Sequence, residues 1–109
     1  IMIILGTDAA VSSRQLGRIA KRAPMGLARV GGIAHHGSGD FVVAFANDRG
    51  QTVTDGDLTP LFRAAIEATE EAIYNSLTQA ETTTGADGQT VPAMPLEPVR
   101  ELLAARDET

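Results

Sequence analysis

Ile1-Met2-Ile3-Ile4-Leu5 is an unbroken run of bulky apolar side chains, and Gly6-Thr7-Asp8-Ala9 follows at once. In a strand, successive side chains alternate between the two faces of the sheet. A run that is apolar at every position has no face to give to water. It suits a strand covered on both sides, here over residues 1–8. An exposed terminus is usually polar or poorly ordered. The beginning is therefore expected to be a strand whose upstream half has been cut away, leaving the new end inside a fold. Processing of another kind, or an arbitrary boundary, is the alternative.

The remaining sequence has little with which to cover two faces. Ser12 followed three residues on by Gln15 is a capping-box signal for a helix. Leu16, Ile19, Ala20, Ala23 and Leu27 then recur at helical spacing, with Arg14, Arg18, Lys21 and Arg22 on a face expected to be solvated. Pro24 should kink or end that helix at Ala23. After Gly31-Gly32, Ile33-Ala34-His35 is a short strand candidate. Asp40 to Phe45 is a stronger one, ended by the turn signal Asn47-Asp48-Arg49-Gly50.

Thr59-Pro60 reads as N-cap and N1 of a long helix. Leu61, Ala65, Ala68 and Ala72 form one stripe on it, with Phe62, Ile66, Ile73, Leu77 and Ala80 beside them, so a wide buried face is expected. Residues 82–88 read as a loop, and Pro95 to about Ala105 as a last short helix. The order is β-α-β-β-α-α. About three strands make too small a sheet to be covered on both faces. The 109 residues are thus expected to be one subunit, completed by strands from another polypeptide.

Composition narrows the function classes. A net charge of −5 lacks the clustered Lys and Arg that phosphate binding needs, so no nucleic-acid partner is expected. With no cysteine, the chain has no disulfide, thiolate nucleophile or Cys-ligated metal. No stretch approaches the roughly 20 apolar residues of a membrane span. A soluble protein is expected, in a cytoplasmic or periplasmic compartment that the sequence does not choose between. Aromatics are only 4% of residues, so the core must be built from Ala, Val, Ile and Leu.

The candidate site is His35-His36-Gly37-Ser38-Gly39-Asp40. If the backbone is extended from Ser38 onward, Ser38 and Asp40 project to the same side. Gly39 between them lets another backbone or a ligand approach closely. A hydroxyl and a carboxylate so placed can hold and orient one amine. From spacing alone the stronger reading is that Gly-Ser-Gly-Asp is ordinary turn chemistry. His35 and His36 would face opposite sides of a strand, and no third ligand set accompanies them, so no metal is expected. Thr7-Asp8, the acidic residues Glu70, Glu71 and Glu81, and the hydroxyls Thr82 to Thr84 are weaker candidates. The stronger readings are a strand end for the first, solvated or interface charges for the second, and a loop capping a helix end for the third.

Four stretches together resemble the small β chain of peptidase family S58, the L-aminopeptidase/D-amide-esterases and β-aminopeptidases. They are Ile4 to Ala9; Gln15-Leu16 with Arg22 to Arg29; Ala34 to Asp40; and Glu71 to Leu77 leading to Ala80 to Gly85. They come in the right order at fitting intervals, over Ile1 to about Leu103. The resemblance implies a self-processing N-terminal-nucleophile hydrolase of α+β class. This chain would be the C-terminal portion of a self-cleaved two-chain domain, part of a four-layer α/β/β/α sandwich completed by a larger α chain. Higher αβ oligomers are implied, and no cofactor.

In that family the nucleophile is a serine that becomes the first residue of the small chain, and here it would stand immediately before Ile1. The family's auxiliary serine and acidic residue fall on Ser38 and Asp40, which the resemblance makes catalytic. The β-aminopeptidases carry glutamate where this chain has Asp40. Ile1, Gly37 and Gly39 are implied as substrate-binding, the substrate being a small peptide, amide or ester. Two other readings remain: an acyltransferase of the ornithine acetyltransferase type, with a threonine nucleophile, and a non-catalytic structural subunit.

Overall fold

The computed structural model describes residues 1–107. It divides into two compact units, Ile1–Ile73 and Tyr74–Thr109. In the first, strand β1 (Met2–Thr7) pairs in parallel with β2 (Phe41–Ala46), Met2 opposite Phe41 and Thr7 opposite Ala46. A parallel pair needs a long crossover. Helices α1 (Ser13–Ala20) and α2 (Ala23–Arg29) supply it.

The capping box forms as the sequence signalled. Ser12 Oγ accepts from the Gln15 amide at 3.2 Å, and Gln15 Oε1 accepts from the Ser12 amide at 2.8 Å. Gln15 is buried and also ties α1 to the chain beyond β2. Its Nε2 donates to the Val53 carbonyl at 2.8 Å and to Asp55 at 3.0 Å. The helix expected to kink or end at Ala23 is two helices. α1 stops at Ala20, and Pro24 sits in the first turn of α2, where its missing N–H leaves no bond unmade.

Three further expectations are corrected. Ile33-Ala34-His35 is loop, because Ala34 has a φ of 49° and an extended segment cannot run through it. The long helix α3 (Leu58–Gln79) begins one residue before Thr59, straight out of a 3₁₀ turn at Asp55–Asp57. Residues 82–88 are not simple loop. β3 (Thr83–Thr84) pairs antiparallel with β4 (Thr90–Val91), and helix α4 (Leu96–Asp107) follows.

The core of the first unit is small. Val11, Ile19, Leu58 and Ala65 are its buried cluster, flanked by half-buried Leu5, Leu16 and Phe62. One face of β1 supplies Ile3 and Leu5 to the interior, while Met2 and Ile4 on the other face are exposed. On α3, Leu58, Ala65 and Thr69 are buried and Ala68, Ala72 and Leu77 are exposed, so the buried face is narrower than the two stripes suggested. Ala64 and Ala68 instead border an open apolar hollow of about 140 Å³ against Leu5 and Leu16. The basic face of α1 is not merely solvated. Arg14 makes a two-oxygen contact with Asp55, Arg18 reaches the same carboxylate at 3.4 Å, and Arg22 stacks 3.8 Å from the Phe62 ring centroid.

Two predictions follow from this packing. At Gly26 on α2, a Cβ would lie 2.5 Å from the Ile66 carbonyl oxygen and 2.7 Å from Thr69 Cβ on α3. Gly26→Ala should destabilise by about 1–3 kcal/mol through overpacking, despite alanine's better helix propensity. Gly17→Ala, with nothing within 4 Å of the new methyl, should stabilise by about 0.5–1 kcal/mol. Chemical denaturation of the full-length protein checks both.

The Arg14 hydrogen bond, then that of Gln15, holds the Asp55 carboxyl below its ordinary 3.8. A depressed folded value stabilises above 3.8, and the contribution disappears as pH falls through the folded value. Asp55→Asn should thus lower Tm slightly at neutral pH, the difference from the parent closing in acid. Added salt should shrink it too, since the pair is exposed. A Tm difference that persists in acid would place the effect outside this ion pair.

Candidate functional site

The site lies where the loop from α2 enters β2, alongside the first residue of β1. His35 to Ser38 is a β-turn closed by the Ser38 amide donating to the His35 carbonyl at 2.9 Å. Its third residue, Gly37, has a φ of +91°, the left-handed geometry that a type II turn asks of that position. Both readings of the segment therefore hold as geometry: it is a turn, and the turn presents Ser38.

From Gly39 the chain runs alongside β1 and extends the ladder by one rung. The Phe41 amide donates to the Ile1 carbonyl at 3.0 Å, and the Ile1 nitrogen donates to the Gly39 carbonyl at 3.1 Å. Ile1 thus stands opposite Asp40. Asp40 Oδ1 is 3.3 Å from the Ile1 nitrogen, and Ser38 Oγ donates to Asp40 Oδ2 at 3.2 Å. The structure so brings Ile1, Ser38, Gly39 and Asp40 together, with Gly37 setting the turn. Asp40 is half-buried, whereas residues 33–39 are exposed. One negative charge is held at the head of β1 with a hydroxyl oriented by it. Such a pair can accept hydrogen bonds from an amine and offset its charge.

The Gly39 carbonyl is a participant that residue types could not reveal, since a main-chain oxygen carries no sequence signal. Several of the weaker candidates are occupied locally. Thr7 Oγ1 accepts from the Ala9 amide at 3.1 Å, Glu70 pairs with Arg29 at 3.0 Å, and Thr82 Oγ1 accepts from the Ala93 amide at 3.0 Å. Thr84 and Thr90 share a 2.8 Å hydroxyl contact across β3 and β4. His35 Nδ1 lies 2.8 Å from the His36 carbonyl. Among the described residues, no three His, Cys, Asp or Glu are grouped to hold a metal, and no helix is long and apolar enough to cross a membrane.

The model of peptidase family S58 matches residues 1–91. The chain belongs to peptidase family S58. A β-peptidyl aminopeptidase of Sphingosinicella microcystinivorans is 38% identical over 94% of this chain and 29% of its own length. Among solved structures, a Pyrococcus horikoshii OT3 protein superposes with a TM-score of 0.85 at 41% identity, covering 96% of this chain and 33% of the other. The L-aminopeptidase D-Ala-esterase/amidase of Ochrobactrum anthropi, described as a variant of the Ntn hydrolase fold, gives 0.82 at 30% identity over 96% and 33%. The chain thus spans about a third of the length of these relatives. Its α+β fold is a portion of their Ntn hydrolase fold.

Gly37→Ala should strain the turn, because a left-handed residue with a Cβ costs about 1–2 kcal/mol. The expected result in the full-length protein is faster hydrogen exchange at the Ser38 amide with the core amides of β2 unchanged. Unchanged Ser38 protection would show that the turn does not need its glycine.

Proposed function

We propose that this chain is the site-bearing small subunit of a serine aminopeptidase or amidase, releasing N-terminal residues from short peptides, amides or esters. Its nucleophile is a serine immediately before Ile1, freed by self-cleavage of a precursor whose larger α chain completes the sandwich and assembles with it into higher αβ oligomers. The observation that carries the reading is the Asp40 carboxylate and Gly39 carbonyl at the head of β1, in a chain that belongs to an aminopeptidase-containing family. Continued by one residue, the ladder register sets that serine opposite Gly39. Its side chain would then fall on the Met2–Phe41 face.

The chemistry follows from this placement. A serine hydroxyl is a weak nucleophile and needs a base. The residue's own α-amine has a reference pKa of roughly 7.7–8.0, suited to general base work near neutral pH. The amine takes the Oγ proton as Oγ attacks the scissile carbonyl. Ser38 orients the amine, and Asp40 offsets its charge once protonated. Collapse expels the leaving amine, which carries the proton away, and leaves an ester on the serine. Water then attacks that ester, giving its proton to the α-amine, and the acyl group departs as a free carboxylic acid with the serine hydroxyl restored.

Asp40→Asn keeps the shape and removes the charge. In full-length protein shown by intact mass to be cut, it should lower turnover of an amino-acid p-nitroanilide by about 10²–10⁴-fold with Tm unchanged. Ser38→Ala should lower it through a misoriented amine. Full activity in Asp40→Asn would overturn the assignment. A threonine before Ile1, with acyl transfer outpacing hydrolysis, would replace the hydrolase by an acyltransferase.

A further inference from the structure

Gly39 is a glycine that this chain's own fold does not require. Its φ is not left-handed, and a Cβ built on it would meet nothing nearer than Phe41 Cε2 at 3.9 Å, an ordinary contact. Gly26 and Gly37 differ, the first enforced by close packing and the second by its φ. The same contact shows where the Phe41 ring points. It leans back over Gly39, not away along β2.

Phe41 is 66% exposed, and its register partner Met2 is 72% exposed. Both lie on the outer face of the β1–β2 pair, the face opposite to Ile3 and the core. Phe45 lies on this face too, but its ring covers Gly6, where a Cβ would fall 2.7 Å from Phe45 Cζ. Phe45 is also four residues further along the strand, about 13 Å at the usual rise. Phe41 alone of the two rings stands at the end that carries Ser38 and Asp40.

We propose that Phe41 is a specificity-determining residue, forming with Gly39 the wall and floor of the subsite for the acyl-side residue of the substrate. This rests on the reading that a nucleophilic serine precedes Ile1. That serine would stand opposite Gly39 with its oxygen on the Phe41 face, so the acyl group it attacks lies over the gap that Gly39 leaves. The ring beside the gap offers an apolar surface to that group's side chain. The chemical class favoured is an N-terminal residue with a medium-sized apolar side chain, in the α or the β series. A charged one would lose hydration against the ring without a partner.

The test uses the full-length, self-processed enzyme and the p-nitroanilides of alanine, leucine, β-alanine and β-homoleucine. Phe41→Ala should lower kcat/KM for the large member of whichever series is turned over by about tenfold or more, mainly through KM. The small member should change by no more than about threefold, a split that a purely structural loss would not give. Phe41→Leu, which keeps an apolar wall, should fall between, and carries the test if the alanine variant fails to fold or process. Gly39→Ala should disfavour the large member by filling the floor. A folded, processed Phe41 variant whose large-to-small ratio matches the parent would overturn the proposal and leave Phe41 a packing residue. Labelling with phenylmethanesulfonyl fluoride, mapped by mass, reads the parent assumption separately. If no label falls before Ile1 and none of the four anilides is cleaved, the nucleophile assignment fails, and this subsite with it.

Discussion

The parallel pairing of β1 with β2 is the constraint on which everything else in the first unit depends. It decides that Ile3 and Leu5 face the core, and it sets Ile1 opposite Asp40. A slip of one residue would turn Ile3 outward and move the carboxylate off the head of β1. The devices that hold this register sit at the crossover. The Ser12–Gln15 box starts α1 at a fixed residue, and the Gln15 side chain anchors that start to Val53 and Asp55 on the far side of β2. Arg14, Arg18 and Arg22 extend the same connection to Asp55 and Phe62. A buried glutamine with every polar atom satisfied thus links the interior to the strand register.

The two faces of the sheet have opposite fates. Helices cover one of them. Beyond the end that carries Phe41, the other presents Ile4, Val43 and Phe45, all more than half exposed. So much exposed apolar surface in one patch marks an interaction site. The chain spans about a third of its relatives' length, and under the proposed function the larger α chain is the occupant that fits. The exposed alanines of α3 and the hollow beside them tell the same story on the helical side. Alanine helps close approach, yet within this chain nothing fills the space it leaves.

How far the sequence was legible follows the range of the forces involved. Local signals were readable: Ser12 with Gln15, the β-rich run after Asp40, and the helical period after Leu58 all correspond to observed elements. The misreadings came where local preference met a non-local or conformational demand. Ile33-Ala34-His35 looks like strand by side-chain type, but the left-handed Ala34 breaks it, and no propensity of alanine announces that. The β3–β4 pair is two residues long on each side, below any periodicity. The width of α3's buried face was overestimated because periodicity shows which residues share a face, not whether this chain supplies the cover. At the site, the spacing of Ser38 and Asp40 was visible. The bonds from Ile1 to Gly39 and Asp40 could not be read from spacing, since they span 38 and 39 residues and need the ladder.

That separation has a consequence for timing. Neither strand can find its partner by a local turn, because the connecting chain must first fold into α1 and α2. Contacts so distant form late, after loop-closure entropy has been overcome by helix packing. The Ile1–Asp40 rung depends on the same long-range pairing. Any bond-breaking event that needs the Asp40 carboxylate beside the head of β1 is therefore closed to a nascent or misassembled chain. The fold acts as its own checkpoint, withholding the charge until the scaffold around it is complete.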